Sequence, residues 1–258
     1  MGVVNVTPDS FSDGGRFVDP EAAVAQGLAL VAAGADVVDV GGESTRPGAD
    51  PVDEATELAR VVPVVAALAS HVRVSIDTTK PAVALAAIDA GATLVNDVAA
   101  SLAAVAAERS VGWVAMHMQG QPRSMQLDPH YDDVVAEVRS FLCERAETAR
   151  AGGVAEVWID PGIGFGKTLD HNWALLAALD DLVTTGWPVA VGTSRKGFLG
   201  ALLATADGVD AVAADDRLEG SVATAVWAAE HGVAMVRVHD VAATVAALRA
   251  IASTEQAA

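Results

Sequence analysis

Short apolar runs rich in Val and Ile recur along the whole chain, separated by alanine-rich stretches, and nearly every run stops on a polar or ionisable side chain. The runs read as strands over residues 2–6, 36–41, 72–77, 93–97, 113–117, 157–160, 188–192 and 234–239. Continuous apolarity over so few residues is the pattern of a parallel strand covered on both faces. Helical stretches fall between them, among them 20–33, 53–69, 81–90, 134–151, 171–185 and 218–231. Gly34, Gly91, Gly152 and Gly232 stand where such helices should stop. Eight such units in 258 residues predict an α/β chain folded as a (β/α)8 TIM barrel, a single domain over residues 1–258. A doubly wound open sheet is the alternative that pattern alone does not separate.

The runs end on Asn5, Asp39, Asp77, Asn96-Asp97, His117, Asp160, Ser194-Arg195-Lys196 and Arg237 to His239. In a closed barrel these ends share one face, where the loops that do chemistry are built. Any one of them could be a helix N-cap or a turn former, and Asp240 reads best as the N-cap of the last helix. A ring of them is harder to explain that way.

The formal charge of −18 argues against nucleic acid as a partner, since phosphates need a basic surface. An anionic ligand would therefore need positive charge gathered locally. The three lysines, Lys80, Lys167 and Lys196, all fall in strand-to-helix loops, which suggests a cationic patch on the loop face; ordinary solvated lysines are the rival reading, strongest for Lys80. One cysteine, Cys143, has no partner for a disulfide, so a reducing, cytoplasmic setting is expected. No 18-residue apolar run or basic leader is present, so neither a membrane span nor a secretory signal is expected.

The stretch Asp160-Pro-Gly-Ile-Gly-Phe-Gly-Lys-Thr168 invites comparison with a phosphate-binding loop, but Pro161 occupies the place of the loop's first glycine. A carboxylate on the strand end would repel phosphate and suits a ligand with paired N–H donors. With Asp77 and Asn96 on neighbouring strands, the pocket fits a flat, guanidine-like heterocycle. An anion belongs elsewhere on the rim, where Arg237 and His239 share a strand face and Asn5 comes alongside once the barrel closes, a fair site for diphosphate. The histidines are too scattered for a zinc site, and no G-x-S-x-G elbow accompanies Ser194. Residues 7–15 and 41–49 form connections longer than usual, which favours a covering role.

The segments Asn5 to Gly15, Asp39 to Gly48, Ser75 to Thr78, Asn96 to Val98, Met116 to Met118, Asp160 to Lys167, Gly192 to Lys196 and Arg237 to Val241 together resemble the dihydropteroate synthase family, in its order. The resemblance implies a pterin-binding barrel that joins 6-hydroxymethyl-7,8-dihydropterin diphosphate to 4-aminobenzoate in folate synthesis. It implies pterin contacts from Asp77, Asn96, Met116, Asp160 and Lys196, and a diphosphate site from Asn5, Arg237 and His239, with Asn5 helping to hold Mg²⁺. Thr45, Arg46, Phe165 and Ser194 would surround the pterin and the aminobenzoate, and Asp13 and Arg46 would act from the two long loops. A homodimer and inhibition by sulfonamides are implied too. Two places depart from the family's usual pattern: Ala99-Ala100 follows Val98, and Gly197 stands where many relatives have a serine. A pterin-binding methyltransferase and a pterin-binding paralogue without turnover are the rival functions.

Overall fold

The computed structural model of the protein describes residues 1–7, 19–44 and 49–255. Eight parallel strands form its centre: β1 (Gly2–Asn5), β2 (Val37–Gly41), β3 (Arg73–Asp77), β4 (Leu94–Asp97), β5 (Gly112–Met116), β6 (Val157–Asp160), β7 (Ala190–Val191) and β8 (Met235–Val236). The first six pair in sequence order, as do β7 and β8. Parallel bridges Ile159 to Val189 and Gly2 to Val238 join the two sheets on both sides, so the ring closes as a (β/α)8 barrel. Val3 N donates to Val238 O at 3.1 Å, Val238 N to Met1 O at 2.9 Å and Ile159 N to Pro188 O at 3.0 Å across these seams.

The helices that cover the ring are α1 (Pro20–Ala32), α2 (Glu54–Leu68), α3 (Pro81–Asp89), α4 (Ala103–Arg109), α5 (Val134–Ala151), α6 (Leu169–Ala177), α7 (Leu179–Val183), α8 (Gly197–Asp207), α9 (Leu218–Glu230) and α10 (Val241–Glu255). Carboxylate caps start several of them: Asp53 accepts from Thr56 N at 2.8 Å before α2, and Asp133 from Val135 N and Ala136 N before α5, satisfying amides that have no intrahelical partner. The helix expected over 171–185 is two helices, because Ala178 leaves helical geometry (φ −108°, ψ 26°), which lets Leu179 and Leu182 turn into the core. The helix α5 stops where expected, with Gly152 as its C-cap (φ −74°); the positive φ falls on the next residue, Gly153 (98°).

Period-two alternation places the site. Val37, Leu94, Val114 and Ala190 form an apolar plug inside the barrel, with Met1, Trp158 and Met235 packed against it. Two residues further along the same strands come Asp39, Asn96, Met116, Gly192, Asp160 and Arg237, which must therefore point the same way as the plug residues. Neighbouring side chains such as Val38, Val40, Val95 and Ala115 face outward into the main core under the helices.

Candidate active site

Above the plug, Asp77, Asn96, Val98, Met116, Asp160, Phe165, Gly192, Lys196 and Arg237 line a small cavity of about 30 Å³. Seven sequence candidates thus meet at one place: Asp77, Asn96, Met116, Asp160, Phe165, Lys196 and Arg237. Burial sets their electrostatics. Desolvation, aided by the nearby carboxylates of Asp39, Glu57 and Asp97, raises Asp77 to about 7 despite the opposing Arg237. Asp160 is raised by burial too, against the pull of Lys196. Burial brings Lys196 down to about 8 although Asp160 favours its charge. For Arg237 burial opposes the charge, but Asp39 and Asp77 prevail and its pKa rises.

Bonds fix these groups. Arg237 Nε donates to Asp39 Oδ2 at 2.7 Å and Arg237 NH2 to Asp77 Oδ2 at 2.8 Å. Asp160 Oδ1 accepts from Gly162 N at 2.7 Å. The Lys196 ammonium donates to Ile163 O and lies 4.6 Å from the centre of the Phe165 ring, a cation over an aromatic face. The pocket therefore has carboxylate and carboxamide acceptors on one wall, a cation beside them and an aromatic face.

The glycines of the stretch after β6 explain its path. Gly162, Gly164 and Gly166 have φ of 64°, 84° and 60°, and a Cβ on Gly162 or Gly166 would lie 1.9 Å from His117 O or 2.2 Å from Gln119 O. They let this loop press against the one after β5 rather than cradle phosphate. Lys167, buried, completes the join by donating to His117 Nδ1 at 3.0 Å, His117 O at 3.3 Å and Phe165 O at 3.0 Å. Burial, with Lys196 nearby, lowers Lys167 to about 7. Burial and then Lys167 lower His117 to about 3, so its imidazole is neutral and accepts at Nδ1.

The cationic patch expected from three lysines is therefore one lysine. Lys80 is ion-paired with Glu43 and Glu57, whose carboxylates raise its pKa against the effect of burial; only Lys196 lines the cavity. The expected anion cluster is looser than the sequence implied. Arg237 turns to the carboxylates, while His239 Nδ1 lies 3.0 Å from Ser194 Oγ, which also accepts from His239 N at 3.1 Å. Asn5, paired in register with Gly41, which pairs with Asp77, stands at the same mouth. Asp240 does not spend its carboxylate on a cap: both oxygens take Arg195 N–H groups, at 3.0 and 2.7 Å. That clasp holds Arg195 in a left-handed conformation (φ 60°), between Ser194 and Lys196. Asp13, Thr45 and Arg46 lie outside the described residues. Asp39, read from the sequence only as a strand end, bonds two pocket residues, and period-two spacing from Val37 was the signal that could have shown it facing inward.

A second cavity of about 540 Å³ opens beside the first and shares Asp77 and Val98 with it. Gly197 is exposed at the start of α8, with open space around an added Cβ and no positive φ. Ala100, after Val98, is left-handed (φ 49°), in a turn that Asp97 holds by accepting from Ala99 N at 3.0 Å and Leu102 N at 2.6 Å.

Comparison with known proteins points the same way. Residues 1–239 match the family of pterin binding enzymes. The chain is 52% identical to the dihydropteroate synthase of Mycobacterium leprae over 97% of its own length and 91% of the relative's, and 44% identical to that of Escherichia coli over 98% and 90%. Among solved structures, a Yersinia pestis dihydropteroate synthase with a sulfonamide drug complex superposes with a TM-score of 0.91 at 44% identity, covering 99% of this chain and 94% of the other. A Xanthomonas albilineans dihydropteroate synthase with 4-aminobenzoic acid gives 0.90 at 47%, covering 99% and 92%. With a pocket of this chemistry at the mouth of a barrel of this topology, the chain belongs to the pterin-binding enzymes and, among them, to the dihydropteroate synthase family.

Proposed function

We propose that the pocket residues divide between them the recognition of a pterin and the departure of its diphosphate. The chain is a transferase of folate biosynthesis: it condenses 6-hydroxymethyl-7,8-dihydropterin diphosphate with 4-aminobenzoate to 7,8-dihydropteroate and releases diphosphate. The observation that carries the division of labour is the convergence of Asp77, Asn96, Asp160, Lys196 and Arg237 on one cavity.

In this reading Asp160 accepts from the amino and imino N–H groups of the pterin, Asn96 and Asp77 take its remaining donors, and Lys196 donates to a ring acceptor. Met116 and Phe165 cover the ring's faces. In this reading the pterin's N–H groups compete with Arg237 for Asp77, and its ring acceptor competes with Ile163 O for Lys196. Arg237, freed, turns toward the diphosphate with His239 and Asn5. The bond from the pterin's methylene carbon to the diphosphate oxygen breaks; the arylamine nitrogen forms the new bond and gives up a proton. Positioning and stabilisation of the leaving group's charge carry the rate. Thr45, Arg46 and Asp13, outside the described residues, keep the roles that the family resemblance implies, and Ser194 borders the aminobenzoate.

Among the described residues no three His, Cys, Asp or Glu side chains are grouped to hold a metal. That suits Mg²⁺, which keeps waters and binds through few protein oxygens plus substrate phosphates. Asn5 supplies a hard carbonyl oxygen at the mouth; bound there, Mg²⁺ would offset the charge of the diphosphate. Sulfonamides would compete with 4-aminobenzoate. We place the protein in the cytoplasm, in keeping with its single free Cys143, and its membership of the family alone suggests a homodimer. Among the described residues no helix is long and apolar enough to cross a membrane.

Calorimetric titration with a pterin analogue tests the recognition. Asp160→Asn should keep its fold and bind at least about tenfold more weakly, since hydrogen bonds to a charged acceptor are worth about 1.5–3 kcal/mol each. Unchanged affinity in the folded variant would remove Asp160 from the pterin site.

A further inference from the structure

Asp39 is fully buried and does not line the cavity, yet its Oδ2 accepts from two residues that do: Arg237 Nε at 2.7 Å and Asn96 Nδ2 at 3.0 Å. These come from β8 and β4, on either side of Asp39 on β2. Its other oxygen, Oδ1, is buried without a partner among the described residues, as is the hydroxyl of Ser75, its register neighbour on β3. A carboxylate in such a place is costly unless paired, and Arg237 is the cation that pairs with it.

The geometry has two consequences for the pocket. Holding Arg237 by Nε leaves the terminal nitrogens to exchange Asp77 for an anion while the root of the guanidinium stays in place. Committing Asn96 Nδ2 to Asp39 orients the amide so that its oxygen faces the pocket as an acceptor. We propose that Asp39 is a positioning residue for the transfer reaction, fixing from beneath the pocket both the pivot of Arg237 and the orientation of Asn96. This rests on the function argued above.

The test uses the pH profile, which a purely structural residue would not move. Asp77 is faced by Arg237 from β8, Asp39 from β2, Glu57 from α2, Asp97 from β4 and Lys196 from the loop after β7. Asp39→Asn removes one negative neighbour and leaves Arg237 undivided for Asp77, and both changes ease ionisation of Asp77. The acid limb of kcat/KM should move down by about one pH unit, the size of effect a nearby charge commonly has, while the basic limb stays and the KM for the pterin diphosphate rises about tenfold. A uniform loss of rate with both limbs in place would overturn the proposal. If Asp39→Asn does not fold, the double variant Asp39→Asn, Arg237→Gln decides: recovery of a folded protein identifies the unanswered guanidinium as the fault and supports the pairing, whereas a second failure makes Asp39 a residue of the fold alone and overturns it. Should the wild type show no turnover, the functional reading fails separately, and the same comparison is made on the pH dependence of pterin-analogue affinity.

Discussion

At the scale of residues, burial has moved the proton affinities of Asp77, Asp160 and Lys196 toward neutrality from both sides. In the proposed reading Asp77 is ionised to accept from the pterin, and Lys196 is protonated to donate. With Asp77 at about 7 and Lys196 at about 8, kcat/KM should rise as pH passes about 7, where Asp77 loses its proton, and fall above about 8, where Lys196 loses its own. Because kcat/KM reports groups of the free enzyme, a pH–rate profile of the wild type checks this directly; a flat profile from pH 6 to 9 would contradict the roles given to both. Most of these residues were legible beforehand, since Asp77, Asn96 and Asp160 end strands and could be placed on one face by topology alone. What sequence could not show is which charges are already spent. Lys80 and Lys167 look like Lys196 in a string of letters, and only packing reveals that Glu43, Glu57 and the His117 loop have claimed them. The same holds for Asp240, which sits at a cap position while Arg195 takes its carboxylate.

At the scale of elements, strands such as β2, β4 and β6 are written twice over: an apolar residue for the plug (Val37, Leu94, Trp158) and, two places on, a polar one at the mouth (Asp39, Asn96, Asp160). Strand identity and order were readable from this, and the ends fell within a few residues of expectation. Local chemistry resolved what periodicity could not, such as the break at Ala178. The glycines after β6 matter most for the site, because they let that loop lie against the loop after β5 and carry Phe165 and Lys167 into place. Gly166→Ala puts a methyl group against Gln119 O in a left-handed conformation and should destabilise the protein by about 2 kcal/mol or more, seen as a lower urea midpoint. Gly197→Ser, in open space, should stay within about 0.5 kcal/mol of the wild type. Equal losses at the two positions would mean that the close approach at Gly166 is not what constrains the loop.

At the scale of the whole molecule, the proposal is that a chain with a formal charge of −18 meets an anionic substrate with Arg237, held at the barrel mouth by the buried carboxylates of Asp39 and Asp77 until the ligand arrives. Diphosphate with Mg²⁺ should therefore raise the melting temperature, since a ligand of the native state stabilises it by mass action. Arg237→Ala should lose most of that rise; equal shifts in the two proteins would place the anion elsewhere. The central claim is that one pocket both holds the pterin and exchanges its diphosphate for an arylamine, and the stoichiometry of turnover by the purified protein measures it most directly. Incubated with the pterin diphosphate, 4-aminobenzoate and Mg²⁺, the wild type should release one diphosphate for each dihydropteroate formed, neither product should appear without the arylamine, and Asp160→Asn should depress both together. Diphosphate released without dihydropteroate, or pterin bound with no turnover at all, would contradict it.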